Sequence, residues 1–363
     1  MKEIEKIVER YAATDWKTEQ SALATVVRVE ESAYRRVGAR MYVSSTGQWI
    51  GGISGGCLEG DALKRAKIAI MKDRSSMVVY DTMEEDAHQI GVGLGCNGRI
   101  EVLFTPIDST DSNNPVELLK QIKGTRTEAV LLQLIETPDS DLLGWTVLEK
   151  DVDQMTKRLK LESDVLSLVI QLVKEKKKSN VFITNNQEQI LVEQIRPNTR
   201  VVLVGDNYDV NAFVGIAEAL GWEIHVAGKQ RKLDHLIFEK AARVYTYKTV
   251  ADISVDAYTA IILMSHDYRT DYKLLKKYGT LDVPYIGLLG PKKRMQKMQM
   301  ELEKEGIELN LATMENLYAP VGLDIGAESP EEIALAITAE IVSVFRKRDG
   351  GKLRERKGPI HER

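Results

Sequence analysis

The sequence predicts an α/β protein in two parts, an N-terminal α+β domain followed by a doubly wound parallel-sheet domain. Three observations predict it. Short β-branched runs surround a helix that starts near Cys57, all before residue 107. A polar stretch, Asp108-Ser109-Thr110-Asp111-Ser112-Asn113-Asn114-Pro115, lacks periodicity and ends in proline, as a linker does. From Arg196-Pro197 onward strand and helix alternate, the pattern of a parallel sheet.

In order, Met1 to Arg10 reads as an amphipathic charged helix rather than a signal peptide. Ser21 to Arg28 and Ala39 to Ser44 read as strands joined by the basic loop Tyr34-Arg35-Arg36-Val37-Gly38, and Gln48-Trp49-Ile50 as the end of another. Helical spacing of Leu58, Ala62, Ala66, Ala69 and Ile70 follows, then strands Met77 to Tyr80 and Arg99 to Thr105, which close a domain over 1–107. Residues 115–195 form an intermediate α+β region: helix Val116 to Lys123, strand Ala129 to Ile135, a hairpin near Leu143 to Glu149, a helix over Asp164 to Lys177 and two short strands ending at Ile195. A Rossmann-like domain spans 196–346. Its strands are Thr199 to Val204, Trp222 to Ala227, Ala260 to Met264 and Pro284 to Leu288. Helices Val210 to Leu220, Asp271 to Lys277 and Lys292 to Glu305 separate and follow them, and a last one begins where Ser329, Pro330, Glu331 and Glu332 agree as start signals. A charged tail occupies 347–363.

At 363 residues the chain can bury a core in each of two or three domains. A formal charge of −4 leaves no electrostatic footprint for nucleic acid or an anionic membrane. No apolar run approaches spanning length, so a cytoplasmic protein is expected. Two cysteines make no disulfide framework; in a reducing compartment they are free thiols with chemistry or small core residues.

Those two cysteines stand in glycine clusters: Gly51-Gly52-Ile53-Ser54-Gly55-Gly56-Cys57-Leu58-Glu59-Gly60-Asp61 at a strand-to-helix junction, and Gly91-Val92-Gly93-Leu94-Gly95-Cys96-Asn97-Gly98. Glycines permit close backbone approach, and a helix start favours anions, so such loops suit an anionic cofactor. Two thiols fall short of the four ligands of structural zinc, but suit a sulfur-containing or transition-metal cofactor that carries its other ligands. Cys57 and Cys96 are therefore expected to meet at one cleft. In the second half, Gly205-Asp206-Asn207-Tyr208-Asp209 occupies the place of a dinucleotide turn but keeps only its first glycine, and Gly228 stands where an acid would bind ribose. This argues against NAD. Ser265-His266-Asp267 follows a strand and reads either as a general base or metal ligand or as an ordinary loop histidine. Gly287-Leu288-Leu289-Gly290-Pro291-Lys292-Lys293-Arg294 reads either as an anion site or as a tight turn with a solvated basic face.

Taken together, Ala22 to Val29, Tyr34 to Met41, Gly52 to Glu59 and Gly93 to Glu101 resemble the xanthine dehydrogenase accessory factor (XdhC/CoxI) family. Ser265-His266-Asp267, Tyr285 to Gly290, Ala319 to Ala327 and Pro330 to Ala334 are similar to its Rossmann-like domain. The resemblance departs at Gly205-Asp206-Asn207-Tyr208, where the family generally reads Gly-Ala-Gly-His, and at Gly228. It implies a chaperone, a maturation factor rather than a dehydrogenase, that binds the molybdenum cofactor with its pterin-dithiolene, supports its sulfuration and delivers it to a molybdenum hydroxylase apoenzyme such as xanthine dehydrogenase. A cysteine desulfurase partner and a homodimer belong to the same expectation. The implied cofactor contacts are Arg35 and Arg36 with Arg40 at the phosphate end; Gly55, Gly56, Cys57, Glu59, Gly95, Cys96 and Gly98 in the loops; and His266, Gly287 and Gly290. Cys57 and Cys96 would face molybdenum. The rival readings are an NAD(P)-dependent oxidoreductase using the second half and a protein that only docks a hydroxylase.

Overall fold

The computed structural model describes residues 2–31, 34–81, 98–162, 164–176, 180–185 and 187–357. Cys96 and Gly95 lie outside them, as do the residues beyond 357. The chain divides into two compact units, Met1–Pro197 and Asn198–Arg363.

The first unit opens with helix α1 (Lys2–Ala12), whose Ile4, Ile7, Val8 and Tyr11 recur at helical spacing and are buried. Strands β1 (Ser21–Glu31), β2 (Arg40–Ser44), β3 (Trp49–Gly51), β4 (Ser76–Asp81) and β5 (Gly98–Pro106) form an antiparallel sheet of order β3-β2-β1-β5-β4. The side-chain period of two sends Ala22, Ala24 and Val26 to one face and Leu23 to the other. On the first face lies α2 (Glu59–Lys72), whose buried residues are Ile70 and the alanines Ala62, Ala66 and Ala69, small enough for close helix-to-sheet packing. Leu23 and Tyr42 on the second face join α1 and α3 (Pro115–Ile122).

Asn114 caps α3, accepting from the N–H groups of Val116 and Glu117. Its amide also donates to Tyr11 and to the carbonyls of Asp108 and Asp111, so the polar stretch read as a linker is a hydrogen-bonded element. A second antiparallel sheet, order β7-β6-β9-β8, consists of β6 (Ala129–Glu136), β7 (Thr146–Leu148), β8 (Asn180–Asn185) and β9 (Glu188–Ile195). Leu143 to Glu149, read as a hairpin, supply only β7, which pairs antiparallel with β6. Helices α4 (Val152–Arg158) and α5 (Val165–Lys176) pack on this sheet through Met155, Leu166, Ile170 and Val173. α4 escapes sequence reading because Met155 is its single buried residue.

The second unit is a six-stranded parallel sheet of order β12-β11-β10-β13-β14-β15, which counted within the unit is the doubly wound order 3-2-1-4-5-6. Its strands are β10 (Arg200–Val204), β11 (Glu223–Ala227), β12 (Arg243–Tyr245), β13 (Thr259–Leu263), β14 (Tyr285–Leu288) and β15 (Leu317–Tyr318). Val201 and Leu203 face α6 (Tyr208–Leu220), α7 (His235–Lys240) and α10 (Pro330–Phe345). Val202 and Val204 face α8 (Tyr268–Tyr278) and α9 (Lys292–Lys304). Gly221, at φ 72, ends α6 in the left-handed conformation open to glycine, and Ser329 with Glu332 forms a capping box on α10. Among the described residues no helix is long and apolar enough to cross a membrane.

Candidate functional site

The junction between β3 and α2 is organised by Ser54. Its hydroxyl accepts from the N–H groups of Gly56 and Leu58, both at 3.1 Å, lies 3.6 Å from the Cys57 thiol and donates to Glu59 Oε2 at 2.5 Å. Glu59 Oε1 accepts the Ser54 N–H at 2.9 Å. Burial pushes the Glu59 carboxyl upward, but the bonds from the Ser54 side chain and backbone, together with the Glu59 and Leu58 N–H groups, hold Glu59 below its usual range. Both carboxylate oxygens are thereby engaged, and Glu59 shapes the loop. Gly56 adopts φ 117, a conformation that side chains disfavour, and the next residue, Cys57, is exposed at the mouth of α2.

The basic loop meets this junction: a Cβ on Gly55 would lie 3.2 Å from the Tyr34 ring. Its cations divide by what holds them. Arg35 is paired with Glu3, whose Oε1 also accepts the Arg40 N–H at 3.0 Å. Arg40 is buried and bidentate to Glu193, at 2.5 and 3.1 Å, while donating to the Gly38 carbonyl at 2.7 Å. Arg40, expected at the phosphate end, is thus buried with both terminal nitrogens engaged within the fold. Arg36 is exposed, with no side-chain partner among the described residues. Gly98 opens β5 opposite Glu31 as a buried strand residue. The expected approach of Cys96 to Cys57 falls outside the described residues. Among those described, no cluster of three or more His, Cys, Asp or Glu side chains could hold a metal ion.

In the second unit His266 and the turn after β14 share the carboxyl edge of the sheet. His266 follows β13 at φ 58 and its Nε2 lies 2.8 Å from Asp209 at the start of α6; its side chain is 59% exposed. Ser265 donates to the buried Asp271 at 2.5 Å, and Arg294 of α9 reaches the other Asp271 oxygen at 2.7 Å, tying the two turns together. Burial raises the Asp271 carboxyl against the opposing effect of both partners. Gly287 is buried inside β14, where a Cβ would strike Val321 and crowd Tyr285, so close packing accounts for the absence of a side chain there. Gly290, at φ 126, fits the turn against the Arg294 stem.

At the crevice between β10 and β13, Asn207 Nδ2 donates to the Met264 carbonyl at 2.7 Å, and a Cβ on Gly205 would lie 2.7 Å from that same oxygen. Asp206 accepts the Lys229 N–H at 3.0 Å and lies over Gly228, where a Cβ would come within 2.9 Å of the Asp206 Cβ. Burial, then the hydrogen bond to Asp206, raise the Tyr247 hydroxyl well above its usual range. Sequence reading singled out neither Ser54 nor Asp271; the only signal was the placing of one serine among glycines and of one acid early in a helix.

These units define the class: a two-part α/β protein in which an α+β unit bearing an exposed cysteine on a glycine-rich junction precedes a Rossmann-type unit with an altered nucleotide turn. A family model described as the XdhC Rossmann domain matches residues 201–341, and one described as the XdhC and CoxI family matches residues 17–81. The chain belongs to the XdhC and CoxI family. It is 27% identical over 341 residues to a probable xanthine dehydrogenase subunit of Bacillus subtilis, covering 91% of this chain and 94% of that one. It is 23% identical to the molybdenum cofactor insertion chaperone PaoD of Escherichia coli, over 89% of this chain and 83% of PaoD. A crystal structure described as a xanthine dehydrogenase from Bacillus halodurans superposes with a TM-score of 0.74 at 25% identity, covering 98% of each chain.

Proposed function

We propose that the protein is a chaperone that binds molybdenum cofactor as cargo, supports its sulfuration and delivers it to a molybdenum hydroxylase apoenzyme in the cytoplasm. The observation that carries this reading is the exposed Cys57 thiol, held on the Ser54–Glu59 junction where the basic loop touches Gly55. The donor set fits the cargo. A thiol is a soft ligand suited to molybdenum or to transferable sulfur, and a metal already held by a dithiolene needs few protein ligands. Arg36 is the guanidinium of the loop left to meet the terminal phosphate, with Gly56, over which nothing lies, giving backbone access and Gly55 carrying the Tyr34 ring. Cys96 completes the reading from sequence, His266 is its accessible group in the second unit, and a cysteine desulfurase and a second copy of the chain are its proposed partners. Similarity to PaoD supports the cargo and the role.

The test is pterin content of the purified chain, read by fluorescence after oxidation. Replacing a thiol by a hydroxyl at nearly constant volume should make Cys57→Ser and Cys96→Ser chains that fold and lose cofactor. Equal content in both variants and the parent would remove the thiols from the mechanism.

A further inference from the structure

Tyr34 is 74% exposed, yet its ring is not loose in solvent. One face rests on Gly55, where the missing side chain is what admits it: a Cβ there would lie 3.2 Å from Cγ and 3.4 Å from both Cδ atoms of the ring. The chain that follows is pinned at successive points. Arg35 pairs with Glu3, Glu3 holds the Arg40 N–H, and Arg40 with the Gly38 carbonyl is locked to Glu193. A Cβ at Gly38 would collide with the Glu193 carboxylate, so that turn too is fixed by packing. The result is a flat aromatic surface held beside the Cys57 loop, with Arg36 two residues along and without a side-chain partner among the described residues. Burial gives no reason for the ring's position, since so exposed a ring removes little apolar area from water.

We propose that the outer face of Tyr34 is a stacking platform for the flat heteroaromatic ring of the cargo, the pterin. This rests on the reading of the protein as a cofactor chaperone. A heteroaromatic bicycle gains by offset stacking on a tyrosine face, as nucleobases do on aromatic platforms, and the gain does not depend on which edge groups the ring carries. Stacking would fix the plane of the pterin, leaving Arg36 for the phosphate and Cys57 for the metal end.

The experiment compares Tyr34→Leu and Tyr34→Phe in the full chain, each produced alongside the parent in a host that makes molybdenum cofactor. The readouts are pterin retained per chain after oxidation and quenching of free pterin fluorescence on titration with each protein. Leucine keeps apolar bulk on Gly55 but has no π face, so retention should fall by about tenfold or more, with loss of quenching, while phenylalanine should stay near the parent. A loaded parent with an equally loaded Tyr34→Leu chain overturns the platform and leaves the chaperone reading standing. A Tyr34→Phe chain as depleted as Tyr34→Leu also overturns it, since the hydroxyl would then be what matters. A parent with no pterin overturns the chaperone reading and this inference with it.

Discussion

Ser54 links four neighbours through one oxygen, and its loss should be felt in stability before it is felt in binding. Ser54→Ala removes the acceptor of the Gly56 and Leu58 N–H groups in the loop before α2, a loss of about 1 kcal/mol for each bond. It also frees Glu59 to rise toward its ordinary value. Because the folded value of Glu59 is depressed, its contribution is complete above the unfolded carboxylate range and is lost as pH falls through the folded one. The gap in urea midpoint between parent and Ser54→Ala should be widest near neutral pH and should narrow on acidification to the part owed to the two N–H groups. A gap that is absent at neutral pH, or constant with pH, would show that Ser54 does not hold Glu59. The sequence displayed the glycines and Cys57 but hid this hub, because Ser54 and Glu59 are five residues apart rather than at capping-box spacing. It likewise presented Arg35, Arg36 and Arg40 as equals; only the folded chain, with Glu3 and Glu193 brought alongside, separates Arg36 from the other two.

At the scale of elements, the turns that leave β13 and β14 are coupled through the Asp271–Arg294 pair, with Asp271 only 1% exposed. Burial raises the Asp271 carboxyl, so ionising it as pH rises opposes folding, and Arg294 offsets that cost. Arg294→Met would leave an uncompensated buried charge and should lower stability by about 3–5 kcal/mol at neutral pH. The sign of its pH dependence is the discriminating feature: as pH falls toward the raised Asp271 value the carboxyl takes up a proton and the deficit should shrink. Urea unfolding over a pH series measures it, and a deficit independent of pH would mean that Arg294 acts through packing alone. Sequence reading found the turn and its three cations but could not say that Arg294 points inward while Lys292 and Lys293 remain exposed. That choice depends on β13 and β14 being neighbours, a non-local fact. The long elements were legible because periodicity and caps agree in them; α7 and β12, at six and three residues, carry too few positions for either signal.

For the whole molecule, the second unit has the strand order of a dinucleotide-binding fold, yet its own turn is filled from within. Three features occupy the crevice that a diphosphate would enter. The Asn207 amide bridges to the Met264 carbonyl across the β10–β13 switch point. Asp209 is held by His266 at 2.8 Å, which places a carboxylate at the α6 N-terminus where an anionic ligand would need the helix dipole for itself. Asp206 accepts from the Lys229 N–H and packs on Gly228, so the end of β11 offers no free acid to ribose. The sequence showed the missing glycine and the missing acid; the structure adds that the space is taken by side chains with partners of their own. Binding of NAD would therefore require breaking these hydrogen bonds and desolvating two carboxylates next to a diphosphate, each an unfavourable step. Calorimetric titration of the full chain with NAD and with NADH should detect no tight complex for either. A sub-micromolar dissociation constant would return the oxidoreductase reading to contention, because it would mean that the Asn207 bridge opens to admit the nucleotide.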